Sequence, residues 1–261
     1  MSTVQTYRDL GFIDIDADCL SQARQRMAER TGKADHEAWP SEPVDFGMRA
    51  WPRADAFAPC PHRLGLYAVL PDAAWVARMA RAGVPTVQLR FKSEDPQAID
   101  REVRAAVQAV HGTQALLFIN DHWQAAIEAG AYGVHLGQED LDTADLAAIR
   151  AAGLRLGLST HGYAEMLIAD RYSPSYIAMG AVFPTTLKRM RTAPQGTERL
   201  HRYAQLLRDY PTVAIGGIDA STLSEVLASG VGSVAVVRAL VGAENPERTA
   251  AELQAAISAP R

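Results

Sequence analysis

A (βα)8 barrel carrying an N-terminal extension is the fold class this chain predicts, and three observations carry the prediction. From residue 64 onward, short apolar runs rich in branched residues alternate with amphipathic stretches, and eight such runs occur before the chain ends at residue 261. Strands apolar on both faces and separated by helices belong to parallel sheets covered by helices, and eight in succession imply closure. The GxGxxG fingerprint of an open doubly wound sheet is missing after the first run, and GxxxxGK[ST] occurs nowhere.

Residues 1–62 stand apart, with two of the four Trp and five prolines (Pro40, Pro43, Pro52, Pro59, Pro61) but no strand-like run. One helix is expected near residues 17–30, where Cys19, Leu20, Ala23 and Met27 recur at helical spacing. This extension reads as a packed arm or as a contact between copies of the chain, which leaves a homo-oligomer open. The barrel is expected over residues 63–261, with strands in the runs 64–70, 86–91, 115–120, 133–137, 155–160, 176–180, 212–217 and 233–240. Helices are expected between them, in stretches opening at Asp72, Pro96, Asp142 and Asp219, because Asp and Pro are favoured at helix starts. Gly83, Gly130, Gly153 and Gly230 each follow a small residue just before a strand, as helix-terminating glycines do.

Composition narrows the function. Hydrophobic residues make up 48% and charged residues 21%, which is ordinary globular usage. With 26 basic against 30 acidic residues the net charge is −4, so no basic excess favours a nucleic-acid partner. Cys19 and Cys60 form no CxxC pair and build neither a disulfide framework nor a thiolate zinc site, which suits a reducing compartment. The start carries Asp9, Asp14 and Asp16 in place of a basic region and an apolar run, and no apolar stretch is long enough for a membrane span. The expectation is a cytoplasmic protein without membrane contact.

In such a barrel, chemistry belongs to polar residues where strands give way to the loops at their C-terminal ends. In the second run, Gln88, Arg90 and Lys92 alternate with Val87, Leu89 and Phe91, so period two turns the polar three into the barrel mouth. A guanidinium and an ammonium side by side call for an anion to share. The third and fourth runs end in Asn120-Asp121 and in His135 to Asp140, bringing two carboxylates to adjacent strand tips. Asp121 and Asp140 suit Mg²⁺, which takes one or two carboxylates and leaves other positions to water and phosphate oxygens; the competing reading of both is helix capping. Ser159 and Thr160 offer hydroxyls, Phe183 to Arg191 form a long loop whose Lys188, Arg189 and Arg191 suit a lid over a polyanion, and Gly216-Gly217 offer backbone N–H groups for a second anion. Arg238 is expected within the eighth strand, sharing with Val234 and Val236 a face that emerges at the barrel mouth beside Gly216 and Gly217; the competing reading has it point away and pair with a loop carboxylate, leaving the second site weakened. His122, His135 and His161 lack zinc-site spacing and read as structural or supporting residues. Two anion sites, a divalent cation and no evident nucleophile or general base describe a transferase joining two phosphorylated small molecules with loss of pyrophosphate.

The motifs Gln88-Leu89-Arg90 with Lys92, Ile119-Asn120-Asp121, Gly133 to Leu141, Gly157 to His161, Phe183-Pro184-Thr185 with Lys188, Ala193 to Gly196, Ile215 to Ile218 and Val234 to Val237 follow one another at strand ends. On them, residues 64–258 resemble the thiamine phosphate synthase family. That resemblance implies a Mg²⁺-dependent (βα)8 enzyme coupling hydroxymethylpyrimidine pyrophosphate to thiazole phosphate, with pyrophosphate released. It implies that Gln88 faces the pyrimidine, that Arg90, Lys92, Asn120, Ser159 and Lys188 bind pyrophosphate, that Asp121 and Asp140 hold the metal, and that Thr185 and Gly217, beside Gly216, bind thiazole phosphate. The chain departs from the family at Ala181 (usually Pro), Leu187 (usually Thr) and Arg238 (usually Ser), the last two at the thiazole-phosphate end. Two rival functions are a thiazole tautomerase, which would not need the metal pair, and a non-catalytic sensor of phosphorylated ligands.

Overall fold

Eight parallel strands follow one another around a closed barrel in chain order. They are β1 (Gly65–Leu70), β2 (Thr86–Leu89), β3 (Leu116–Asn120), β4 (Gly133–Leu136), β5 (Arg155–Thr160), β6 (Tyr176–Met179), β7 (Thr212–Ile215) and β8 (Ser233–Val236). This computed structural model describes residues 3–33, 38–185 and 192–259. The barrel closes where β8 returns to β1, with Gly65 opposite Ser233 and Ala68 opposite Val236.

The helices are α1 (Thr3–Asp9), α2 (Asp14–Thr31), α3 (Ala73–Arg81), α4 (Pro96–Val110), α5 (Trp123–Ala129), α6 (Leu146–Ala151), α7 (Tyr163–Tyr172), α8 (Gly196–Leu206), α9 (Leu223–Ala228), α10 (Arg238–Val241) and α11 (Pro246–Ser258). Local chemistry explains their starts. Asp72 accepts the N–H of Trp75 at 2.8 Å ahead of α3, and Asp95, before Pro96, accepts that of Gln97 at 3.0 Å ahead of α4. Two starts fall later than expected. Asp145, not Asp142, caps α6 through Ala148 N at 2.9 Å, and Asp219 turns its carboxylate onto Ser221 at 2.9 Å, so α9 begins only at Leu223. Gly83, Gly130, Gly153 and Gly230 all take the left-handed conformation that ends a helix, with φ between 67° and 88°. Among the described residues, no helix is long and apolar enough to cross a membrane.

The eighth run corrects the sequence reading. Its strand ends at Val236, Val237 turns at φ −121° and ψ −80°, and Arg238 opens the short helix α10. Its faces are also reversed: Ala235 lies in the barrel interior with Val237 packed against it, whereas Val234 and Val236 join the core under the helices. β2 ends at Leu89, short of the expected residue 91, yet the alternation holds: Val87 and Leu89 lie in the outer core, and Phe91, beyond the strand, packs against it.

The barrel interior holds rings where branched aliphatic residues are the usual filling. Tyr67, Phe118 and Tyr176 pack there with Val69, Ala178 and Val213. Glycines on β4 and β5 make the room: a Cβ at Gly133 would lie 2.5 Å from the Phe118 ring, and one at Gly157 would lie 2.1 Å from the Tyr176 ring.

The arm is bound tightly to the barrel. Tyr7, Phe12, Leu20, Phe46 and Phe57 share one buried cluster with the barrel's outer core. Arg53 reaches Asp170 of α7 at 2.6 Å with both side chains almost fully buried, and Tyr210 donates to the same carboxylate at 2.8 Å. Arg202 lies over the Trp39 ring at 3.5 Å, and Arg199 over the Phe12 ring at 3.9 Å. The single helix expected over residues 17–30 is α2, and α1 precedes it.

Candidate active site

At the C-terminal ends of the strands lies a cavity of about 610 Å³. Gln88 of β2 with Arg90 and Lys92 just after it, Asn120 of β3 with Asp121 just after it, and Asp140 after β4 line it, with Ser159 of β5, Thr185 after β6, Gly216 and Gly217 after β7, and Arg238 at the start of α10. Lys188 lies outside the described residues, as do Leu187, Arg189 and Arg191. The structure thus brings every described site residue into one cleft, from seven successive strand ends.

The floor of the cleft is a chain of hydrogen bonds. Gln88 Nε2 donates to the Tyr67 hydroxyl at 3.0 Å, and that hydroxyl meets the Tyr176 hydroxyl at 2.7 Å. The Tyr176 hydroxyl is 2.7 Å from His135 Nδ1, and His135 Nε2 is 2.8 Å from Ser159 Oγ. Burial raises both phenols above their ordinary range, so they remain protonated at neutral pH. One direction gives each hydroxyl a bond accepted and a bond donated: from the Gln88 amide through Tyr67 and Tyr176 to His135 Nδ1, with Nε2–H donating to Ser159. In that arrangement the Ser159 proton is left for an acceptor in the cleft. His135, expected as a structural or supporting residue, supports Ser159, whereas neither tyrosine is among the residues the sequence singles out. The signal was present: Tyr67 and Tyr176 sit on the first and sixth strands where an inward residue carries a hydroxyl into an apolar interior.

At the rim, Lys92 Nζ is 2.8 Å from Asp121 Oδ2. Asp121 takes φ 63°, uncommon for a residue other than glycine, at the tip of β3. It does not cap α5, whose start at His122 has no side-chain cap. Asp140 does serve a turn, since its Oδ2 accepts the Gly137 N–H at 2.8 Å. Among the described residues no three His, Cys, Asp or Glu side chains stand together as a metal cage. Mg²⁺ requires none, because water and phosphate oxygens can complete its shell, so Asp121 and Asp140 on one cleft with Arg90 and Lys92 are a donor set that fits that ion. His122 Nε2 lies 2.9 Å from Phe91 O, and His161 Nδ1 lies 2.7 Å from Glu165 Oε2.

The opposite rim is built from backbone. Gly216 and Gly217 have φ of 109° and 66°, and a Cβ on either would collide, with Ala181 at 2.5 Å and with Pro184 O at 2.7 Å respectively. Only glycine lets the β7 and β6 loops approach this closely. Arg238 joins the rim because the strand breaks at Val237, not through strand parity.

Fold and site together define a (βα)8 barrel with a polar cleft, lined by Arg90, Lys92 and Arg238 as well as by carboxylates, at the C-terminal ends of its strands. Residues 66–240 match the family model described as thiamine monophosphate synthase. A Neisseria meningitidis serogroup A protein named thiamine-phosphate synthase is 57% identical over 199 residues, which are 76% of this chain and 97% of that protein. A Yersinia pseudotuberculosis protein of the same name is 53% identical over 191 residues, 73% of this chain and 89% of its own. The solved structure of thiamine phosphate pyrophosphorylase from Pyrococcus furiosus superposes with a TM-score of 0.65 at 28% identity, covering 75% of this chain and 98% of that one. The chain belongs to the thiamine monophosphate synthase family.

Proposed function

We propose that this chain is a transferase that joins hydroxymethylpyrimidine pyrophosphate to thiazole phosphate, giving thiamine phosphate and pyrophosphate. The observation that carries the reading is the grouping of Gln88, Arg90, Lys92, Asn120, Asp121, Asp140 and Ser159 around one cleft in a chain of this family. Gln88, oriented by the tyrosine pair beneath it, meets the edge of the pyrimidine ring. Arg90, Lys92, Asn120 and Ser159 surround the pyrophosphate, each offering donors to its oxygens. When bound at Asp121 and Asp140, Mg²⁺ supplies Lewis-acid charge to the same oxygens.

The bond that breaks joins the pyrimidine methylene carbon to the bridging oxygen, and its electron pair leaves on pyrophosphate. The bond that forms uses the lone pair of the thiazole nitrogen, so no general base is required. Catalysis is therefore electrostatic: Arg90 and Lys92 are held where negative charge grows, and Thr185, Gly216 and Gly217 hold the second substrate by its phosphate. Retention of Arg90, Lys92 and both carboxylates separates this reading from a tautomerase acting on thiazole phosphate alone.

Metal removal tests the cofactor. Turnover is expected to vanish in excess chelator and to return on titration with Mg²⁺, whereas undiminished product formation in chelator would contradict the role of Asp121 and Asp140. Arg238 is assigned to the thiazole phosphate, where a guanidinium can bind bidentately. Arg238→Ser is expected to raise the KM for thiazole phosphate about tenfold or more, the ratio that loss of a charged hydrogen bond brings, and to leave the KM for the pyrimidine substrate unchanged. Equal KM values for thiazole phosphate in variant and wild type would remove Arg238 from that site.

A further inference from the structure

The family model begins at residue 66, so the contacts of the arm are outside what the family explains. Several of them converge on the first turn of α7, directly behind the cleft. Gly162, the residue ahead of this helix, offers no side-chain cap, and a Cβ there would fall 2.1 Å from Asp16 Oδ2. The missing cap comes from α2: Asp16, 3% exposed, accepts the N–H of Ala164 at 2.8 Å from 148 residues away. Ala164 is the second residue of α7, whose N–H a capping side chain ordinarily takes. Tyr163, the first residue, is enclosed by the arm as well. Its ring stacks on Phe46 with centroids 5.2 Å apart, and its hydroxyl accepts from Trp39 Nε1 at 3.1 Å.

The third residue of the helix carries the connection to the cleft. Glu165 Oε2 accepts the backbone N–H of His161 at 2.8 Å and meets its Nδ1 at 2.7 Å. His161 lines the cleft beside Ser159, two residues earlier, whose carbonyl is held on the other side by Gln138 Nε2 at 2.7 Å. The end of β5 is thus suspended between the β4 loop and the first turn of α7, and the arm secures that turn.

We propose that Asp16 is a positioning residue for the reaction: by capping α7 from the arm it fixes the Ser159–His161 end of β5 against the pyrophosphate. The inference rests on the functional reading above, since the subsite it serves is the one that reading assigns to pyrophosphate.

The test uses the full chain as wild type, Asp16→Ala, Asp16→Asn and Asp45→Asn, the last loosening an ion pair with Arg30 (2.7 Å) within the arm. The readouts are KM for each substrate, kcat, and affinity for inorganic pyrophosphate with Mg²⁺ by calorimetry, which needs no turnover. Asp16→Ala is expected to weaken pyrophosphate binding and to raise the KM for the pyrimidine substrate about fivefold, with the KM for thiazole phosphate unchanged. Asp16→Asn, which can accept the same N–H, restores both to within about twofold, and Asp45→Asn lowers the melting temperature while leaving both KM values alone. If Asp16→Ala yields no folded protein, Asp16→Ser, whose hydroxyl stops short of Ala164, is read in its place. Wild-type pyrophosphate affinity in the Ala or Ser variant, an equal rise in both KM values, or the same KM change in Asp45→Asn would overturn the proposal. Wild-type protein that binds pyrophosphate but makes no product would overturn the functional reading instead, and the affinities of the variants would still decide the role of Asp16.

Discussion

Asp121→Asn is expected to lose roughly 10²- to 10³-fold in kcat, the size of effect that follows removal of one well-placed electrostatic group from an active site. Stability should barely change. Asparagine tolerates the left-handed backbone that Asp121 adopts at φ 63°, and the bond to Lys92 joins two partly exposed groups. Pairs of that kind contribute about 0–1 kcal/mol. Asp140→Asn is the sharper companion. Its amide oxygen can still accept the Gly137 N–H that closes the turn, so the substitution removes charge while the local geometry keeps its anchor. Both variants should require more Mg²⁺ for half-maximal rate. A melting point well below wild type together with full specific activity would show that these carboxylates serve the fold and not a metal. Circular dichroism melts beside initial rates across a Mg²⁺ series distinguish the two outcomes.

The largest effect on stability is expected at the last turn of α7, where an ion pair anchors the arm. Asp170 receives Arg53 at 2.6 Å and the Tyr210 hydroxyl at 2.8 Å, with the side chains of Arg53 and Asp170 3% and 5% exposed. Removing one member of such a pair strands the other charge in a place where water cannot compensate it. Asp170→Ala is therefore expected to cost about 3–5 kcal/mol, which for a chain of this size lowers the melting temperature by roughly 10 °C. Replacing both partners with apolar residues, Arg53→Met with Asp170→Leu, should recover much of the loss because no buried charge is then left alone. A single variant that melts within a degree or two of wild type would mean that the arm is held by its aromatic contacts, with the ion pair contributing little.

Much of this was legible in the chain, and the reasons differ by element. Strand positions follow from apolar runs because a strand buried on both faces needs side chains of that kind all along it. The cleft was legible around β2 in particular: Gln88, Arg90 and Lys92 alternate strictly with Val87, Leu89 and Phe91, and the alternation carries past the end of the strand at Leu89. What escaped depends on contacts between distant segments. The bonds joining Tyr67, Tyr176 and His135 link three strands, and each residue taken alone resembles an ordinary core side chain. The capping of α7 by Asp16 spans 148 positions and leaves only a glycine, Gly162, as its local trace. Arg238 was misplaced because the run Ser233–Leu240 stays apolar and branched through Val237, so composition does not mark where the strand becomes a helix.

Transferase activity is measured by incubating the full chain with hydroxymethylpyrimidine pyrophosphate, thiazole phosphate and Mg²⁺ and quantifying thiamine phosphate and pyrophosphate as they form. The two products are expected in equal amounts, and omission of either substrate is expected to abolish both. Well-folded protein that forms neither product at any Mg²⁺ concentration, or that only rearranges thiazole phosphate when the pyrimidine substrate is absent, would contradict that activity.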